Sequence, residues 1–184
     1  MNIYGFKQIL VAVNSKLHIR VYNEQMKIVF YDTIEEFMKD SRYDMLKFRW
    51  FSCSMNDIEI PSPENFFNNF TLNIGTEDLI SLEKTIQIRD LVERFEGKLG
   101  QIFYRDLLDP SILDKFKNPE KYTKSELEEA EDILERYMDL PVKFIKLTFD
   151  KNKFFEEIIE PDVLDKYFSI YAVPELPLNM SLFY

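Results

Sequence analysis

Two prolines around one serine, Pro61-Ser62-Pro63, interrupt any helix or central strand that reaches them. Proline has no amide hydrogen to donate, and its ring fixes φ. A chain with such a break must build its regular elements on either side of it. Residues 1–62 carry eight Lys/Arg and eight Asp/Glu, whereas residues 63–184 carry 15 and 25, which is the whole net charge of -10. The apolar pattern changes as well, from period 2 before the break to period 3.6 after it. The sequence therefore reads as an α+β fold. A small N-terminal antiparallel sheet with a helix (1–62, β-rich, neutral) packs against a mostly helical acidic C-terminal portion (63–184). Only four glycines occur and no Gly/Ser-rich linker, so the two regions are expected to form one unit.

Before the break, Leu17–Tyr22 alternates apolar and polar residues, and Asn23-Glu24-Gln25 turns the chain into Met26–Tyr31, which predicts a hairpin. Gln8–Val13 reads as a further strand. Asp32 or Thr33 caps a helix over Ile34–Lys39. Met45–Ser52 reads as a strand with Leu46, Phe48 and Trp50 on one face and Lys47, Arg49 and Phe51 on the other, and Ile58–Ile60 as a short one. After the break, Phe66–Ile74 reads as packed connector or strand. Thr76 caps a helix from Glu77 to about Glu96, with Gly97 just past its end. Short helices are expected over Ser111–Phe116, Lys153–Glu160 and Asp162–Tyr171, a strand over Val142–Phe149, and an extended tail over Val173–Tyr184. Ser125 with Glu128 fits a capping box that opens a helix to about Asp139, with Leu127, Ala130, Ile133, Leu134, Tyr137 and Met138 as its buried stripe.

Several function classes are disfavoured. The longest clean apolar run, Ile9–Val13, is far short of the roughly 20 residues of a membrane helix. The first residues lack the pattern of a signal peptide. Cys53 is the sole cysteine, so no internal disulfide forms, and a cytoplasmic location is the simplest expectation. The acidic balance repels phosphates and anionic membranes, so direct nucleic-acid or membrane binding is not expected.

No catalytic, cofactor or metal signature emerges. His18 is the only histidine, on the strand face of Arg20 and Tyr22, and a triad or histidine-rich metal site needs more than one matched group. Cys53 as a nucleophile would need a base beside it. The four glycines are not spaced to cradle a phosphate, and Gly97-Lys98-Leu99-Gly100 reads as a helix end and turn. Acid pairs such as Asp162 with Asp165, or Glu156 with Glu160, share a helical face without any metal-loop pattern.

The densest acidity is Ser125–Glu135, with six acids and no base in eleven residues. Carboxylates three or four residues apart repel in a helix, so a segment selected for stability alone would alternate Glu with Lys. Glu128, Glu129, Glu131, Asp132 and Glu135 are therefore the candidate partner-binding residues, aimed at a basic protein surface. The functional expectation is a non-enzymatic, acidic protein-binding protein. Its sharpest form is an inhibitor that occupies the nucleic-acid channel of a DNA- or RNA-handling enzyme. Counter-defence proteins of phages and mobile elements, anti-restriction and anti-CRISPR proteins among them, have this physical character; the likeness is not one of sequence. The alternatives are a metal-dependent hydrolase or nuclease using scattered carboxylates, and a self-associating accessory protein. The latter would use aromatics such as Phe66, Phe67, Phe103, Phe154 and Tyr171, and the tail Leu182-Phe183-Tyr184.

Overall fold

The computed structural model describes residues 1–10, 16–55, 70–96, 101–105, 108–149 and 168–175. The Pro61–Pro63 break, the expected strand at Ile58–Ile60, Gly97, the expected helix over Lys153–Glu160 and the tail beyond Glu175 lie outside the described residues, as do Phe66, Phe67 and Phe154.

Four strands build the first sheet. β1 (His18–Tyr22) and β2 (Ile28–Thr33) form the predicted hairpin, pairing His18 with Thr33 and Arg20 with Tyr31. Asn23 closes the turn, accepting from the Lys27 amide through its side chain. Thr33 then caps α2 (Ile34–Lys39), as expected, with its hydroxyl facing the Glu36 amide at 3.4 Å. β3 (Leu46–Met55) and β4 (Phe70–Ile80) complete the sheet in the order β2-β1-β4-β3. β4 runs parallel to β1 and antiparallel to β3.

This sheet corrects three expectations. The helix predicted over Glu77–Glu96 is absent. Residues 77–80 extend β4, 81–86 are irregular, and only α3 (Ile88–Glu93) is helical. β4 is paired with β1 over Thr71–Gly75 and with β3 out to Glu77 and Ile80, and this long-range pairing outweighs a weak local propensity. Thr76 is no cap; its hydroxyl donates to the Tyr22 carbonyl at 3.0 Å across the sheet. The chain expected to be a strand from Gln8 begins instead as α1 (Ile3–Ile9), because the Asn2 side chain accepts from the Gly5 amide at 2.9 Å and Ile3, Phe6 and Ile9 share a buried face. Residues 11–13 of that expected strand are not described. Finally, a bulge between Phe48 and Trp50 breaks the alternation of β3, so Phe48 and Phe51 lie in the same core, 6.1 Å apart, and Trp50 turns to the opposite face.

The second sheet joins β5 (Gln101–Phe103), β7 (Phe168–Pro174) and β6 (Val142–Phe149) in the order β5-β7-β6, with β5 parallel and β6 antiparallel to β7. The C-terminal portion is thus not mostly helical: β4, β5, β6 and β7 all follow residue 62, and two mixed sheets replace the single antiparallel one. Residues 168–171, expected to end a helix, begin β7. Long-range pairing decided these segments, and short-range periodicity cannot report it.

Ile19, Val21, Leu72, Ile74, Phe48 and Phe51 of the first sheet, Ile145, Leu147, Ile170 and Ala172 of the second, and Phe6 and Leu10 near α1 form one core. Phe6 stacks on Phe48 at 4.4 Å. Lys7 is buried beside them; its ammonium donates to Asp44 at 2.6 Å and to the Asp40 carbonyl, and lies 4.7 Å from the Phe37 ring centre. A smaller core joins α4 (Pro110–Lys117) to α5 (Lys124–Met138) through Ile112, Ala130, Ile133 and Tyr137. The capping box of α5 is Thr123 with Glu126, two residues before the expected pair, and the Glu126 carboxylate accepts from the Thr123 amide at 2.8 Å.

Candidate functional site

Glu128, Glu129, Glu131, Asp132 and Glu135 are all solvent-exposed on α5, and Ala130, Ile133 and Tyr137 are buried on its other side. At 100° per residue, Glu128, Glu131, Asp132 and Glu135 fall within one 100°-wide outer face, and Glu129 lies on its flank. Asp139, the C-cap, continues the row. Cations absent from the local sequence reading also reach this face. Arg89 of α3 donates to Glu135 at 2.6 Å and to Asp139 at 3.3 Å, and the bond to Glu135 pushes the Arg89 guanidinium further above its already high range. Lys115 of α4 lies 3.7 Å from Glu129, and Lys124 lies 3.4 Å from Glu128. Glu131 and Asp132 have no ion pair among the described residues. The helix is a partly neutralised acidic surface, and an unbroken phosphate-like row is not what it presents.

Cys53 cannot pair with His18. Cys53 stands opposite Leu72 on the core face of the first sheet, whereas His18 stands opposite Thr71 on the other face. Burial pushes the Cys53 thiol up to about 12, so it is protonated near neutrality. Among the described residues no group of three or more His, Cys, Asp and Glu is placed to hold a metal ion. The aromatic pair Phe103 and Tyr171 stacks at 5.2 Å across β5 and β7 and is half-buried. No helix among the described residues is long and apolar enough to cross a membrane.

The second face of the first sheet is the larger surprise. Opposed residues in paired strands share a face, so the register assembles it directly. One row is Thr33, His18, Thr71 and Ser54. The next is Tyr31, Arg20, Asn73 and Ser52. A third brings Tyr22, Gly75 and Trp50 together. Neighbours on adjacent strands are about 5 Å apart, and successive rows about 7 Å. Such a row of polar side chains on a central strand is unusual, because β4 is buried on both faces from Phe70 to Thr76.

The side chains are held but not satisfied. His18 stacks on Tyr31 with ring centres 5.6 Å apart. The Arg20 guanidinium also lies over Tyr31, at 5.0 Å, and contacts the Tyr22 hydroxyl at 3.4 Å. The Asn73 amide nitrogen donates to the Ser54 hydroxyl at 2.9 Å, with Ser52 at 3.4 Å. Trp50 lies across Gly75, where a Cβ would stand 2.2 Å from the indole, and its ring centre is 5.8 Å from that of Tyr22. Yet His18 Nδ1, Arg20 Nε and Asn73 Oδ1 are each buried with no hydrogen-bond partner among the described residues. Rotating the Asn73 amide would exchange its two ends and still leave one unpaired. A buried polar atom left unpaired costs about 1–3 kcal/mol, and native structures keep few of them. Three of them fall within two adjacent rows of this face.

Sequence reasoning saw the strand face of His18, Arg20 and Tyr22 but not its neighbours. Asn73 and Thr71 come from a strand hidden inside an apolar run, and Trp50 is turned over by a bulge that no local pattern announces. No protein-family model, curated protein or solved structure matches the chain.

Proposed function

We propose that this is a non-enzymatic binding protein whose ligand lies on the polar face of the first sheet. The observation that carries the reading is the set of unpaired polar atoms on His18, Arg20 and Asn73, gathered in two neighbouring rows. Binding sites are kept at a cost in stability, since groups poised for a ligand are unsatisfied without it. Replacing Arg20 with Met keeps most of the aliphatic stem and removes the unpaired nitrogen. The reading therefore expects Arg20→Met to stabilise the ligand-free protein by about 1 kcal/mol, after loss of the contact with Tyr31 and of the long bond to the Tyr22 hydroxyl. Urea denaturation measures this. A loss of stability in that variant would mean that the guanidinium is structurally satisfied, and would overturn the reading.

A second reading is favoured by the outward placement of all five α5 carboxylates. In it, Glu128, Glu129, Glu131, Asp132 and Glu135 dock a basic surface of another protein, a nucleic-acid-processing enzyme being the sharpest form. Because Arg89, Lys115 and Lys124 offset part of the charge, the centre of that dock is Glu131 and Asp132. Changing the five acids to Gln or Asn should abolish salt-sensitive retention of a basic partner. Retention by the variant equal to that of the unaltered protein, at low and high salt, would remove this reading.

A further inference from the structure

Resting on the reading that the polar sheet face binds a ligand, we infer that the ligand is a small oxyanion carried on a planar ring. A nucleoside monophosphate and an aromatic carboxylate share that chemistry. The first argument is charge. Arg20 has no ion pair among the described residues, and none of the residues in the three rows is Asp or Glu. In a chain of net charge -10, the described residues of these rows carry one fixed positive charge and no negative one. A cationic ligand would meet Arg20 uncompensated, and an apolar one would leave the three polar atoms as they are.

The second argument is the sense of the hydrogen bonds. Arg20 Nε is a donor in every protonation state reached in water. His18 Nδ1 is a donor in the imidazolium and in one neutral tautomer. The Asn73 amide offers a donor after rotation, with its oxygen then accepting from Ser54 and Ser52. An oxyanion, with acceptors only, suits each of these donors, and a charge-assisted bond to Arg20 is stronger than one from a neutral hydroxyl or amide.

The third argument is shape. Tyr31, Tyr22 and Trp50 border the donors, and Tyr31 is 49% exposed, so part of its ring is open to a stacking partner. Aromatic borders around a polar centre favour a flat ring. The fourth is size. One arginine offsets about one phosphate, and the surrounding protein is acidic, so a polyanion such as a nucleic acid strand is repelled beyond its first contact.

The chain reports on this site without labels, since His18 is the only histidine and Trp50 the only tryptophan, and both lie on this face. We would titrate the intact protein with adenosine and uridine monophosphates, 4-hydroxybenzoate, inorganic phosphate, uncharged adenosine, and a ten-nucleotide single strand. The readouts are the His18 imidazole resonances and Trp50 fluorescence. At least one of the three ring-bearing anions should move both signals with a Kd below about 1 mM, the affinity of a few good contacts. Inorganic phosphate and adenosine should each bind at least tenfold more weakly. Which ring-bearing anion binds best separates a nucleotide from an aromatic acid. In Arg20→Gln the response should fall at least tenfold.

Equal binding of adenosine would overturn the oxyanion, and equal binding of inorganic phosphate would overturn the ring. Tighter binding of the single strand would replace a small ligand with a nucleic acid. Silence of both reporters to every probe would overturn the inferred class. That failure is separable from failure of the binding-face reading, which stands or falls on the ligand-free stability of Arg20→Met.

Discussion

Replacing Gly5 with Ala should destabilise this protein, although the same change inside most helices does the opposite. Alanine ordinarily gains about 1 kcal/mol over glycine in a helix interior. A Cβ on Gly5 would stand 2.1 Å from the Lys84 carbonyl oxygen, 2.6 Å from its carbon and 2.8 Å from its Cα. These are backbone atoms, with no rotamer to move aside. Ordinary contact lies near 3.5 Å, so α1 and the 81–86 segment must part by roughly 1 Å. The same seam carries the Asn2 amide bond to the Glu83 carbonyl at 2.6 Å and the Asn2 side-chain bond to the Ser81 carbonyl at 2.8 Å. Loss of two such bonds costs about 0.5–1.5 kcal/mol each, and overpacking about 1–3 kcal/mol. After the helix gain is subtracted, a net loss of about 1–5 kcal/mol remains. For a chain of this size that is a Tm lower by about 2–20 °C. Equilibrium urea denaturation and calorimetry of Gly5→Ala measure it. A midpoint equal to or above that of the unaltered protein would refute the close-approach argument and the placement of α1.

Gly75→Ala should push Trp50 off the sheet, lowering stability by about 1–3 kcal/mol and shifting the Trp50 emission maximum; a second change, Trp50→Val, should recover part of the loss, and simple additivity would deny the contact. Thr123→Ala removes the hydroxyl that caps α5 and should cost about 1 kcal/mol in urea denaturation, whereas Ser125→Ala, the cap expected from sequence, should cost much less. Cys53 should resist alkylation at pH 8 until the chain unfolds, so labelling by iodoacetamide should rise with denaturant along the unfolding curve; rapid native labelling would contradict its burial. Because the folded thiol titrates at about 12 and the unfolded one near 8.5, the unfolded chain holds fewer protons between those values. Cys53 therefore contributes a loss of stability as pH rises above about 9 and none below about 8, and comparison of Cys53→Ala with the unaltered chain across that window checks the sign.

Elements made by neighbours in the chain were legible. The β1–β2 hairpin, Thr33 before α2, the helix near Ser111–Phe116 and the strand over Val142–Phe149 each follow from alternation, capping or period within a dozen residues. Elements decided by distant partners were not. Residues 77–80 carry Glu and Asp suited to a helix start, yet Lys47 reaches Glu77 at 3.0 Å from the next strand and the segment stays extended. The acidic face of α5 was legible as a helix surface, but Arg89, 46 residues before Glu135, was invisible to a local count. The polar sheet face was half legible. His18, Arg20 and Tyr22 announce a side, and only the pairing with β4 says that Asn73 stands beside Arg20.

That pairing also orders events in time. His18 meets Thr71 across about 50 residues of intervening chain, and β4 is the strand that joins the β1–β2 hairpin to β3. On a ribosome the hairpin emerges long before its inner neighbour, so one edge of β1 waits unpaired, a template for the wrong strand. Non-local closure of this kind is slow, and α1 and α2 have no finished surface to cover until it happens. The polar face is thus the last part of the first sheet to exist, and a nascent or truncated chain ending before residue 70 would carry His18 and Arg20 without Thr71 and Asn73 beside them.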